Sequence, residues 1–166
     1  DATGNATITA ADIDDGSTDN CNFILSLNND TFDCTNVGPN TITLTITDDS
    51  GNIDTATAIV TVEDTINPVA VAQDITVQLD ATGNATITES QINDGSTDNC
   101  GIASMILDTT TFDCTNVGTN TVELTVTDVN GNITRANATV TVVDDINPTV
   151  MVQDITVYLD YNGDAT

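Results

Sequence analysis

The chain has no lysine, no histidine and no tryptophan, and its single arginine, Arg135, stands against 26 acidic residues. The formal net charge is −25 over 166 residues. Each absence excludes something. Affinity for nucleic acid comes from Lys and Arg on phosphates, so one arginine argues against that partner. An anionic membrane is disfavoured by the same arithmetic. Without His or Lys the usual general bases are missing, and no enzymatic activity is expected. The missing Lys also excludes Lys–Asn isopeptide cross-links. No apolar run approaches the ~18 residues that cross a bilayer, and the opening DATGNATIT lacks the basic and apolar regions of a signal peptide. Neither membrane insertion nor a leader is expected of this stretch.

What is present is a repeat. DATGNATIT starts at Asp1 and again at Asp80, TFDCTNVG at 31–38 recurs at 111–118, and INP at 66–68 recurs at 146–148. QDITV at 73–77 returns at 153–157. A period near 80 residues is too long for a solenoid and suits a tandem array of small domains. The phase divides the chain into a repeat lacking its first strand (1–67), a complete repeat (68–147) and the first strands of a third (148–166).

Within each repeat the apolar residues alternate with Thr, the signature of half-buried strands. Ile42, Leu44 and Ile46 share one face, as do Val122, Leu124 and Val126, and Ala136, Ala138, Val140 and Val142. Turns such as ATGN, DDSGN and DVNGN separate the strands, and no long helical period competes. The expected fold is all-β: tandem immunoglobulin-like β-sandwich repeats of about 80 residues.

Each repeat carries two cysteines, Cys21 and Cys34, then Cys100 and Cys114. An array of like domains is expected to close its bridges within each unit, pairing Cys21 with Cys34 and Cys100 with Cys114. Such loops would stabilise a unit by about 3 kcal/mol in the chain-entropy model. They imply an oxidising, extracellular or cell-surface location.

The loop DGSTDNC occurs twice, at 15–21 and 94–100. In a seven-strand sandwich it shares one end of the domain with the incoming linker and the turn before the last strand. Glu63, Asp64, Asn67, Asp94, Ser96, Asp98, Asn99, Asp128 and Asn130 are therefore expected to converge, with Asp15, Asp19 and Asp48 as counterparts in the first repeat. An all-oxygen donor set without basic residues fits a hard cation, Ca²⁺ first in an extracellular setting. The alternative is ordinary turn chemistry on an acidic, soluble surface.

In the second repeat, Asp64 and Pro68, the strand Asp74–Val77, the DNCG of Asp98–Gly101 and the TDVNGN of Thr127–Asn132 resemble the hyalin-repeat (HYR-like) branch of immunoglobulin-like modules. Two departures are visible: Ala72-Gln73 stands where that family often has Cys-Pro, and Asn22 replaces the glycine of the second copy. The resemblance implies large secreted bacterial surface proteins of the gliding-adhesin type. The Asp-Thr-apolar triplets at 54–56 and 64–66 also resemble an O-glycosylation signal of such bacteria. The expected function is a structural stalk or spacer in a cell-surface adhesin or filament, its partners being neighbouring repeats of the same long chain. The alternative is a module that binds extracellular polysaccharide, a surface or a partner protein through its acidic loops. Lateral association into a fibre stands open beside both.

Overall fold

The computed structural model describes residues 2–159 and 161–164; Asp1, Asp160, Ala165 and Thr166, at the edges of the first and third repeats, lie outside it. The chain is mostly β. In the first copy, β1 (Ala6–Thr7) pairs with β3 (Thr31–Phe32), while β2 (Phe23–Leu27), β4 (Gly38–Asp48) and β5 (Ile53–Val62) form a three-stranded antiparallel sheet in the order β2-β4-β5. The second copy repeats this plan. Here β7 (Asn84–Thr86) pairs with β9 (Thr111–Asp113), and β8 (Ile102–Leu107), β10 (Gly118–Asp128) and β11 (Ile133–Val143) form the sheet. One strand is added: β6 (Ile75–Gln78) runs parallel to the outer edge of β11, with Ile75 opposite Val140 and Val77 opposite Val142.

That addition decides how well the apolar face is covered. In the second copy Val122, Leu124, Val126, Val140 and Val142 are fully buried together with Leu79, Phe112 and Ile92, and Ala70, Ala72, Ile75 and Val77 pack against them. In the first copy Leu44, Ile46, Val60 and Val62 hold the equivalent positions but are only half-buried. Among the described residues no strand lies along the outer edge of β5. Burying an aliphatic side chain is worth about 1.5–3 kcal/mol, so the segment 69–79 is a large part of what makes the second core complete.

Two single-turn helices, α1 (Ala10–Ile13) and α2 (Glu89–Ile92), interrupt the β pattern where the sequence reading foresaw none. Each is closed at its start from its own third residue. The Thr9 N–H donates to the Asp12 carboxylate at 2.7 Å, and the Thr88 N–H to Gln91 Oε1 at 2.9 Å. The turn seats Ile92 in the core at 0% exposure.

Carboxylates hold the turns. The hydroxyls of Thr35 and Thr115 donate to Asp33 and Asp113 at 2.6 Å, followed by the backbone N–H groups of the same threonines. These bonds favour the ionised form and keep both acids below the ordinary 3.8. A depressed pKa adds stability that is present above the ordinary value and lost as the pH falls through the folded one. Acidification also relieves the self-repulsion of the −25 charge, so the difference between two proteins is the measurable quantity. The stability gap between the wild type and Asp113→Ala, taken from urea unfolding, should be constant above pH 5 and narrow below about 4. A second expectation concerns the cores. Leu124→Ala should cost about 2–5 kcal/mol, and Leu44→Ala, at the equivalent but half-open position, clearly less on the same urea curves.

Candidate metal centre at the junction

The long strand of each copy runs from one pole of the unit to the other. At about 3.3 Å per residue, the eleven residues of β4 cover more than 30 Å. Cys34 opens a single 3-10 turn (Cys34–Asn36) just before the Gly38 end of β4. Cys21 precedes Phe23, which pairs with Asp48 at the other end. The second copy is alike, with Cys114 before Gly118 and Cys100 just ahead of Ile102, which pairs with Asp128. A disulfide needs Cα atoms within about 7 Å. The two cysteines of one copy therefore cannot meet.

The expected pairing within each unit is thus overturned. Cys34 bonds Cys100, across the boundary between the copies, with Cα atoms 5.3 Å apart and a separation of 66 in sequence. Cys21 and Cys114 are free and exposed. Closing a loop of that length is worth about 4 kcal/mol in the chain-entropy model. The bridge runs past the loop at Gly4, whose φ is +74°. A Cβ built there would sit 2.7 Å from Cys34 Sγ and 3.1 Å from the Asn99 carbonyl oxygen. Only glycine combines that backbone with so close an approach.

Beside the bridge, three carboxylates from three segments come together. Asp64 of the linker, Asp98 of the loop before β8 and Asp128 at the end of β10 offer oxygens within 4.8 Å of one another. Asp128 is 1% exposed. Burial raises its pKa, but the side chain and N–H of Asn132 and the N–H groups of Asn130 and Gly131 outweigh burial and leave the acid below its ordinary value. Asp98 Oδ2 accepts from the N–H groups of Cys100 and Gly101 at 2.7 and 2.9 Å. Its other oxygen, Oδ1, is buried and accepts no hydrogen bond, and so is Oδ1 of Asn99. The chain's one guanidinium is engaged elsewhere, with Glu123 at 3.0 Å on the surface.

Buried acceptors without donors, next to clustered negative charge, are costly unless something positive meets them. Asp64, Asp98 and Asp128 could hold a hard cation through oxygen alone. Of the other residues expected here, Asn130 joins through a 2.8 Å bond from its amide to Asp64 Oδ2. Glu63 lines the neighbouring groove with Cys34 and Asn99. Asn67 and Asp94 are exposed. Ser96 turns to its own copy, where its hydroxyl accepts from the Val71 N–H and donates to the Val71 carbonyl. In the first copy Asp15 is exposed, and Asp19 and Asp48 line a groove with Asn52 at the far pole.

Asn132 was missed as a site residue. Its amide reaches both the Asp64 carbonyl at 3.1 Å and Asp128 Oδ2 at 2.7 Å, tying the linker to the turn. The signal was the Asp-x-x-Gly-Asn spacing of 128–132, which makes the amide a partner of the aspartate. No family model matches the chain, and a search of curated proteins finds no match.

Peptide mapping without reduction should recover Cys34 linked to Cys100, and alkylation should label Cys21 and Cys114. Gly4→Ala should shift the bridge towards its reduced form at a fixed dithiothreitol ratio. An unchanged equilibrium would show that the close approach at Gly4 does not matter.

Proposed function

We propose that the chain is a non-catalytic stalk segment built from tandem immunoglobulin-like β-sandwich units of about 80 residues, resembling HYR-like modules of secreted bacterial surface adhesins. The observation that carries this reading is the junction. A covalent bridge, Cys34–Cys100, and a three-segment acidic cluster, Asp64, Asp98 and Asp128, tie one copy to the next at facing poles. A spacer needs such fixed joints, because flexible joints make a coil and not a rod. The disulfide favours an extracellular location, and among the described residues no helix is long and apolar enough to cross a membrane.

Calcium is the ion we assign to the joint. Three carboxylates offer oxygens within 4.8 Å of one another, the buried oxygens Asp98 Oδ1 and Asn99 Oδ1 accept no hydrogen bond, and an all-oxygen donor set suits this ion. Extracellular modules bind calcium with Kd near 10⁻⁴ M, so about 10 mM calcium would stabilise the folded joint by ~2.7 kcal/mol.

Thermal unfolding of the oxidised chain in EDTA and then in calcium should show a rise in midpoint that Asp98→Ala removes. Small-angle scattering should show a single extended form in calcium, and a broader distribution in EDTA with reductant. A midpoint indifferent to calcium would end the cation reading. Scattering that stayed broad under oxidising conditions with calcium would end the stalk reading.

A further inference from the structure

Two exposed thiols remain, and each sits in the local structure that its counterpart occupies in the bridge. The Cys114 sulfur lies 3.8 Å from the Gly83 carbonyl oxygen, and the Cys34 sulfur lies 3.8 Å from that of Gly4. A Cβ on Gly83 would meet Cys114 Sγ at 2.8 Å, against 2.7 Å for Gly4 and Cys34. Asp113 caps the turn that starts at Cys114 as Asp33 caps that of Cys34, each accepting at 2.8 Å from the N–H of the turn's second residue, Thr115 and Thr35 respectively. At the other pole the Cys21 N–H donates to Asp19 at 2.7 Å, and the Cys100 N–H donates to Asp98 at 2.7 Å. Cys114 is thus a second Cys34, and Cys21 a second Cys100.

Two further features ask for the same placement of a neighbour. Asp144 accepts from the Ile146 N–H at 3.0 Å, the turn that Asp64 makes with Ile66 at 3.1 Å. It would meet Asp19 and Asp48 of a following copy as Asp64 meets Asp98 and Asp128. The segment DITVY at 154–158 matches DITVQ at 74–78, where β6 lies. It is exposed, with Ile155 at 75% and Val157 at 51%. The outer edge of β5, the counterpart of the edge that receives β6, is without a strand among the described residues. The register of β6 on β11 would set Ile155 opposite Val60 and Val157 opposite Val62.

We propose that Cys114 and Cys21 are the open halves of further head-to-tail bridges, Cys114 of one copy bonding Cys21 of a second copy of this repeat. The oxidant is a small-molecule disulfide such as oxidised glutathione. The Cys114 thiolate attacks one of its sulfurs, forms a mixed disulfide and releases one glutathione thiolate. The partner's Cys21 thiolate then attacks the Cys114 sulfur and releases the second. Two protein thiols are oxidised, one glutathione disulfide is reduced to two thiols, and the two protons pass to the glutathione sulfurs. The link is heterologous, so it extends an open array and does not close a symmetric dimer. It deepens the stalk reading and rests on the tandem arrangement proposed there, but not on calcium.

The test uses two full-length variants in a glutathione redox buffer with EDTA. Cys21→Ser keeps only the Cys114 thiol, and Cys114→Ser keeps only Cys21. Each alone should stay monomeric on non-reducing gels. Their mixture should give a covalent heterodimer whose peptide map, after cleavage at aspartate with Asp-N protease, contains one new link, Cys114 to Cys21. Adding Val157→Asp to the Cys21→Ser partner, which lends the strand, should lower the heterodimer yield by about tenfold through the lost effective concentration. The same change in the Cys114→Ser partner should leave it unaltered. Covalent dimers of either variant alone, or a mixture that ends as monomers and glutathione adducts, would overturn the proposal. Because calcium is absent throughout, failure of the cation reading leaves this outcome untouched.

Discussion

A strand of eleven residues that spans its unit from pole to pole is the constraint on which the junction depends. β4 and β10 are the central strands of their sheets, hydrogen-bonded on both sides. Their length, about 30 Å at ~3.3 Å per residue, holds the two cysteines of a copy at opposite poles. It also separates the acidic turn at one end from the Gly4-type loop at the other. Once the poles differ, two copies in sequence can meet only unlike to unlike. The bridge, the carboxylate cluster and the short linker then fall in one place.

The electrostatics follow the same geography. Many of the acids sit in or beside turns, where hydroxyls and backbone N–H groups satisfy them individually. Asp33, Asp80 and Asp113 each accept from a threonine two residues on. Such groups need no counter-ion. At the junction the arrangement changes in kind: three carboxylates share one small volume, and two side-chain oxygens have no donor. The single ion pair among the described residues, Arg135 with Glu123, is solvent-exposed and contributes little. The chain therefore concentrates its electrostatic cost at the place where its copies join.

Much of this was legible in the sequence, for identifiable reasons. The two-residue period of Val122, Leu124 and Val126 is a direct image of a strand with one face buried. The meeting of Asp64, Asp98 and Asp128 could be anticipated because the linker, the loop before β8 and the turn after β10 share one end of such a fold. The cysteine pairing was not legible. Equal copies offer two ways of matching like with unlike, within a unit or across the boundary, and spacing along the chain cannot distinguish them. Only the pole-to-pole length of β4 does. The helical turns at 10–13 and 89–92 escaped because four residues are too few for a period to register. The capping pairs Thr9–Asp12 and Thr88–Gln91 were their only trace. The open face of the first copy shows a similar limit: Leu44 and Leu124 have like neighbours in sequence, and what separates them is a strand contributed from elsewhere.

The bridge also determines how the molecule would carry tension. A pull along the chain enters the first copy, reaches Cys34 and crosses the sulfur–sulfur bond to Cys100. The intervening residues 35–99, with β4, β5, the linker and β6 among them, lie on a slack bypass. Fully extended they would pay out more than 200 Å at about 3.4 Å per residue, and none of that length is available while the bond holds. The strands of the bypass are held by hydrogen bonds and apolar contacts, which yield at modest force, yet the stretched path runs through covalent bonds around them. The strands before Cys34 and after Cys100 have no such shield, so the bond withholds extension from the joint and from the half-open sheet of β4 and β5, where the packing is loosest.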